Sequence, residues 1–520
     1  MTKPTPAQEA PRHGRSWSRK RAAAAPAPEV PPTPAPDASG RVWSPYQLAI
    51  FNDAAEGTGH TVVRARAGTG KTTVICEALK HVPAGLSILV VAFNNKIKDE
   101  LLKRQAAGAF PAHVDVKTCH GFGFAACMSA FRSRLADGRT WDIIEARNGD
   151  GAEGRDYRGA LAKAVSFAKG TLAATPREIG AMLDTMLDAG QIEKAWDSDD
   201  AFAAEIASVL RECRDNPHAI DFDDMCWLPV ACGLRVRQYD RVFVDETQDL
   251  NAAQIKLVLA ACKPGGRVCA VGDDRQAIYG FRGAADGALG NVIAALNAKV
   301  LPLSVTYRCA EGIVNVARAY VPDYEAAPNA KPGEVQTIST RTVRDLARPG
   351  DFIISRKNAP LLGLCLAFLR AGIPASVAGR DVGAWLRALI DKSKAADVPA
   401  LAAWLDVWKA NEIARISGRR NPSENAIDVV IDKVECINAL AEGAASVAEI
   451  RAKVDALFVD KDDAGRIVCT TVHKAKGLER RRAFVLTDTF RLGRGIEEEN
   501  LYYVAVTRAQ ECLYLAHGDA

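Results

Sequence analysis

No apolar run in this chain approaches the length of a membrane span, and no signal-peptide core is present. Neither a membrane-spanning nor an exported protein is therefore expected, and the reading is cytoplasmic. The 13 cysteines form no C-x-x-C pair and are odd in number, with Cys76, Cys262 and Cys269 inside apolar runs. That distribution speaks against a disulfide framework, a zinc site or an iron–sulfur cluster, and for buried thiols in a reducing compartment. A charge excess is missing too. Lys and Arg total 67 against 63 Asp and Glu, a net charge of +4. Affinity for nucleic acid would have to rest on local placement of basic groups, not on bulk charge. No internal repeat of short period is seen.

What is present is length and a globular composition. With 520 residues, 48% hydrophobic and 25% charged, the chain exceeds what one core can fill, so about two to four domains are expected. Residues 1–40 are rich in Pro and Ala, carry Arg12, Arg15, Arg19, Lys20 and Arg21, and cannot bury a core; a disordered basic tail is expected. From residue 41 strand-like runs alternate with helical stretches, the runs falling at 61–63, 88–93, 114–117, 242–244 and 268–271. This is the pattern of a parallel sheet covered on both faces. Residues 124–239 are helical in pattern and read as an insertion, leaving 41–123 and 240–300 as the first α/β domain. A second α/β domain, 301–391 and 464–520, has runs at 335–338, 352–355, 467–470, 484–486 and 513–516, with a short helical insertion at 392–463.

Two segments carry chemistry. Ala65-Arg66-Ala67-Gly68-Thr69-Gly70-Lys71-Thr72-Thr73 follows the apolar run 61–63 and precedes a helical stretch. A strand feeding a glycine-rich turn into a helix N-terminus is a phosphate cradle: Gly68 and Gly70 let successive N–H groups face anionic oxygens. Lys71 supplies a point charge to the β- and γ-phosphates, and the Thr72 hydroxyl can ligate Mg²⁺. Ala67, Gly68, Thr69, Gly70, Lys71, Thr72 and Thr73 are thus candidate contacts to ATP. The second segment, Asp245-Glu246-Thr247-Gln248-Asp249, follows the strand-like run 242–244. Its first carboxylate would hold Mg²⁺ through water, and Glu246 would polarise the attacking water.

Read in order, the remaining motifs resemble those of the UvrD/Rep-type superfamily 1 DNA helicases from about residue 44 onward. They are Tyr46-Gln47, the run from Gly272 to Ala284, Thr306-Tyr307-Arg308, Thr471-Val472-His473-Lys474-Ala475-Lys476-Gly477-Leu478-Glu479, and Tyr503-Val504-Ala505-Val506-Thr507-Arg508-Ala509. The resemblance implies two tandem RecA-like P-loop NTPase domains with helical insertions. It also implies roles: Gln47 reads the adenine edge, Tyr307 stacks on the base and Glu479 accepts from the ribose. Gln276 and Arg308 would reach the γ-phosphate from either side of an interdomain cleft, and Arg508 would be an arginine finger. On the DNA side, Phe93 and Phe281 would stack on bases, with Thr118, His120 and His473 as further contacts. Asp221-Phe222-Asp223-Asp224-Met225 also matches a family segment, read as packing. Thr306 stands where the family has asparagine and Asn500 where it has arginine, and the second insertion is short.

The implied activity is an ATP- and Mg²⁺-dependent helicase or translocase on single-stranded DNA, moving 3′ to 5′. Single strands and DNA junctions would be its partners, with an accessory replication or repair protein as a further one. Two rivals stay open: a translocase that strips proteins and unwinds little, and a DNA-binding scaffold with a vestigial ATPase. The basic tail would be an arm that touches DNA or simply a solvated segment.

Overall fold

Strand Thr61–Ala65 lies second from one edge of the first sheet, paired on both sides, and its Val62 and Val63 are wholly buried. In order across the sheet the strands are Asp115–Thr118, Ile88–Ala92, Tyr239–Val244, Cys262–Gly272, Thr61–Ala65 and Lys299–Leu303. Every pairing is parallel, so both faces must be covered, and near-continuous apolar strands are the consequence. The computed structural model describes residues 40–149, 151, 154–189, 191–278, 287–418, 424–459 and 465–518. The tail expected over 1–40, save its last residue, and Phe281 lie outside the described residues. The chain divides into a short unit, Met1–Pro45, and the unit Tyr46–Ala520, which holds both sheets.

The second sheet runs Glu334–Ser339, Ala509–His517, Arg480–Leu486, Phe352–Ser355, Ile467–Thr471, Ala375–Ala378 and Phe458–Val459, again all parallel. The fold class is the α/β arrangement that the alternating pattern implied. Three strands carried no clear signal. Lys299–Leu303 contains Pro302, which is tolerated because this strand pairs on one side only. Ala375–Ala378 is built of small residues, and Phe458–Val459 is two residues long.

The two insertions differ. Residues of the first, including Leu161, Leu183, Phe202, Ile206 and Leu228, form an apolar cluster of their own, in which Trp196 stacks on Phe202 with centroids 3.8 Å apart. Residues of the second, on helices Val398–Ser417, Glu424–Ala441 and Val447–Leu457, have no separate core. Leu401, Leu405, Trp408, Ile437 and Ile450 join Ile353, Val377, Cys469 and Phe484 of the sheet in one cluster.

Candidate functional site

The phosphate loop leaves strand Thr61–Ala65 and enters helix Lys71–His81, whose N-terminus no side chain caps. Gly68 and Gly70 have φ of 71° and 79°, a region that glycine adopts freely. A Cβ on Gly68 would also stand 2.4 Å from Arg308 Cβ and 2.5 Å from Thr306 Oγ1, so only glycine lets the second domain approach the loop this closely. Lys71 Nζ lies 3.2 Å from Glu246 Oε2. Burial alone would lower the Lys71 ammonium, but Glu246, Asp273 and Asp245 outweigh it and hold it above the ordinary lysine range. Thr72 Oγ1 donates to Asp245 Oδ2 at 3.2 Å. Thr69 and Thr73 sit in the same loop and first helical turn.

Asp245 and Glu246 follow the carboxyl end of strand Tyr239–Val244, which is separated from Thr61–Ala65 by strand Cys262–Gly272. Asp245 is held well above the carboxylate range by burial and by the adjacent Glu246 charge. Two hard oxygens side by side, one on a buried carboxylate short of cationic compensation, fit Mg²⁺. No group of three or more His, Cys, Asp or Glu among the described residues is arranged as a metal site. A cation held by one carboxylate, one hydroxyl and nucleotide oxygens requires none. Glu246 moves the other way: burial raises it, but Lys71, the Gln248 amide and Lys476 bring it below the usual range. Its backbone is in the left-handed region, φ 50°, a strain of about 1–2 kcal/mol for a residue with a Cβ. Gln248 ties it in place, donating to Glu246 Oε2 at 2.6 Å and accepting from the Asp273 N–H at 2.9 Å. Gln276 donates to Asp273 Oδ2 at 2.7 Å. Lys71, Glu246 and Gln276 therefore converge from three adjacent strand ends, where a parallel sheet places its ligands.

The second domain closes over this group. Arg308 pairs with Glu479, which also accepts from Gln510 at 2.9 Å. Tyr307 donates to Gln47 Oε1 at 3.4 Å, so the two expected adenine contacts meet. Tyr307 N–H bonds Gly68 O at 2.9 Å. Ala67 is held at both ends: its N–H donates to Tyr503 Oη at 2.8 Å, and its carbonyl accepts from Tyr324 at 3.0 Å. Arg508, expected as a finger, is instead turned into its own domain. It is 1% exposed and donates to the carbonyls of Val504 and Leu478 and to Thr507 Oγ1. It sits just past helix Ile496–Val506, where the last carbonyls attract a cation. Burial and the nearby Arg308 lower its guanidinium to about 10. Lys476 was not singled out, yet its ammonium crosses the cleft to both oxygens of Asp249, at 2.6 and 2.8 Å, and to Gln276 O at 2.7 Å. Its one sequence signal was membership of the same motif as Glu479.

The expected DNA contacts fall in two places. On the first domain, Phe93 is half-buried against the sheet core. Thr118 caps helix Cys119–Phe131, accepting from Gly121 N–H at 3.1 Å. His120, whose imidazole burial holds below the ordinary histidine range, meets Phe222 edge-on at 6.3 Å. Phe222 is 51% exposed, whereas Asp221 and Asp224 around it are buried with Lys169 and Arg139, at 2.8–2.9 Å. Packing thus describes the aspartates, and the phenylalanine is an exposed aromatic on a rigid base. On the second domain, His473 lines a cavity of about 490 Å³ with Arg356, Asn358, Thr471 and Arg491.

A family model described as the UvrD/REP helicase N-terminal domain matches residues 47–293, and one described as the UvrD-like helicase C-terminal domain matches 466–516. The ATP-dependent DNA helicase PcrA of Leuconostoc citreum is 27% identical over 288 residues, covering 51% of this chain and 37% of that protein. F-box DNA helicase 1 of Gallus gallus is 22% identical over 520 residues, covering 91% of this chain and 49% of its own length. The ATP-dependent DNA helicase UvrD1 of Mycobacterium tuberculosis (strain ATCC 25618 / H37Rv) is 29% identical over 263 residues, with 43% and 32% covered. The chain spans about half the length of these relatives or less.

Proposed function

We propose that this chain, which belongs to the UvrD/Rep-type family of superfamily 1 DNA helicases, is an ATP-driven motor on single-stranded DNA. The observation that carries the reading is the convergence of Lys71, Thr72, Asp245, Glu246 and Gln276 at three strand ends, with Arg308 facing them from the other domain. Lys71 takes the β- and γ-phosphate charge, and Glu246, left ionised by its neighbours, accepts the proton of the attacking water. Asp245 and Thr72 hold Mg²⁺, which when bound neutralises phosphate charge. Gln276 and Arg308 orient the γ-phosphate, and Tyr307 with Gln47 receives the adenine. Phe93, His120, Phe222 and His473 supply ring faces and polar edges for bases and phosphates, a sequence-tolerant way to hold a single strand. Movement 3′ to 5′ follows from the family resemblance.

Within this reading, unwinding by the chain alone is weak. The second insertion shares its core with the sheet, so it offers no separate lobe to press on a duplex whose opening costs roughly 1.4 kcal/mol per step. The test is hydrolysis with and without single-stranded DNA, followed by strand displacement on 3′-tailed and 5′-tailed duplexes. DNA-stimulated hydrolysis with displacement of short 3′-tailed duplexes is expected. Hydrolysis absent under both conditions, with DNA still bound, would establish the scaffold instead.

A further inference from the structure

The phosphate loop carries an arginine that the cradle itself has no use for. Arg66 is 5% exposed. Its Nε and Nη2 fork onto the two oxygens of Asp323, at 3.0 and 2.8 Å, on the second domain. Its Nη1 reaches back to Asp273 Oδ1 at 3.3 Å and Asp274 Oδ1 at 2.5 Å. Asp273 is fully buried, and its other oxygen accepts from Gln276. The residues after Asp323 hold neighbouring parts of the same region: Tyr324 bonds the Ala67 carbonyl, and Glu325 accepts from Tyr46 at 2.7 Å. Three consecutive side chains of the second domain thus grip the phosphate loop and the approach to Gln47.

We propose that Arg66 and Asp323 are positioning residues that make the placement of Gln276 depend on the second domain. A buried carboxylate needs a cation: Lys71 acts on Asp273 from nearby, and Arg66 pairs with it at 3.3 Å. A forked arginine–carboxylate pair is directional as well as strong, so a shift of Asp323 relative to the first sheet redirects the guanidinium. Asp273 then loses part of its compensation, and the amide it holds is released or retained accordingly. Closure of the cleft is in this way communicated to the γ-phosphate side without any contact between Asp323 and nucleotide. The inference rests on the proposed hydrolysis with Gln276 at the γ-phosphate.

The test is steady-state hydrolysis, stimulated by single-stranded DNA, for Asp323→Asn, Asp323→Glu, Arg66→Lys, Gln276→Ala and the pair Asp323→Asn with Gln276→Ala. Asp323 is half-exposed, so its variants should fold, and the melting temperature of each is measured alongside. Asp323→Asn should lower kcat about tenfold with KM for ATP within about twofold. Arg66→Lys, which keeps the charge but not the fork, should lose a similar factor, and Asp323→Glu should recover most of it. Because the pair acts through Gln276, Asp323→Asn should add no further loss in the Gln276→Ala background. A raised KM at unchanged kcat would make the pair a mere anchor for the loop and overturn the inference. Fully additive losses would overturn it equally. Wild-type protein that shows no DNA-stimulated hydrolysis would instead overturn the proposed function.

Discussion

On the first-domain side of the cleft, Lys71, Thr72, Asp245, Glu246, Gln248 and Gln276 hang from neighbouring strand ends and bond chiefly to one another. On the second-domain side, Arg308 is paired with Glu479 and Arg508 with carbonyls of its own domain. One set is fixed by the register of a single sheet, so its geometry, that of Gln276 apart, persists wherever the second domain stands. For the proposed chemistry, the other must exchange an existing partner for phosphate before it can act. In the proposed function, hydrolysis therefore waits on rearrangement of the second side, which is how a motor avoids idle turnover.

The contrast breaks at its strongest point if the first side is dispensable. Lys71→Ala removes the charge at the phosphates and Glu246→Gln the base, so each should lose turnover by several orders of magnitude. Glu246→Gln should still bind a fluorescent ATP analogue, because Lys71, Thr72 and Asp245 remain. Near wild-type kcat in either would end the site assignment. Arg308→Ala, on the second side, should cost about 10²–10³ in kcat, the worth of one charge-stabilising donor in a closed site. A change confined to the Glu479 region, with turnover intact, would leave Arg308 a structural partner only.

Phe222→Ala sharpens the contrast on the face proposed to take DNA. Loss of base stacking of roughly 1–3 kcal/mol should weaken single-strand binding while hydrolysis without DNA is retained; unchanged affinity in a titration would assign Phe222 to solvent alone. The smallest effect concerns Lys476. It lowers both Asp249, which burial lifts to about 6, and Glu246. Lys476→Gln should raise both carboxyls, so the acid limb of the kcat–pH profile should move to higher pH, since Glu246 must be ionised to accept a proton. An unmoved limb would reduce Lys476 to a tie between domains.

The legible part of the molecule is what short stretches determine. Apolar runs at 88–93 and 352–355 became strands because four or five consecutive buried residues suffice. The loop Gly68–Thr72 announced its conformation through glycines whose φ is positive. The illegible part is set by how two sheets dock. Nothing near Arg66 in sequence indicates Asp323, 257 positions away, and nothing near Lys476 indicates Asp249, 227 positions earlier. Arg508 shows the converse: the motif named the residue, but capture by the carbonyls of the preceding helical turn decided where its guanidinium points.

The shared core of the second insertion has a mechanical meaning. Leu401, Trp408 and Ile450 complete a face of the sheet that also contains Ile467 and Cys469. The strand bearing those two residues, Ile467–Thr471, runs straight into the turn that holds His473 and ends at Lys476. Any force applied to helices Val398–Ser417 or Glu424–Ala441 is thus borne by close-packed side chains, which have little compliance. It arrives at the strand that links the cavity lined by His473 to the carboxylates beside Glu246. A partner gripping those helices would be pulling on the transmission itself.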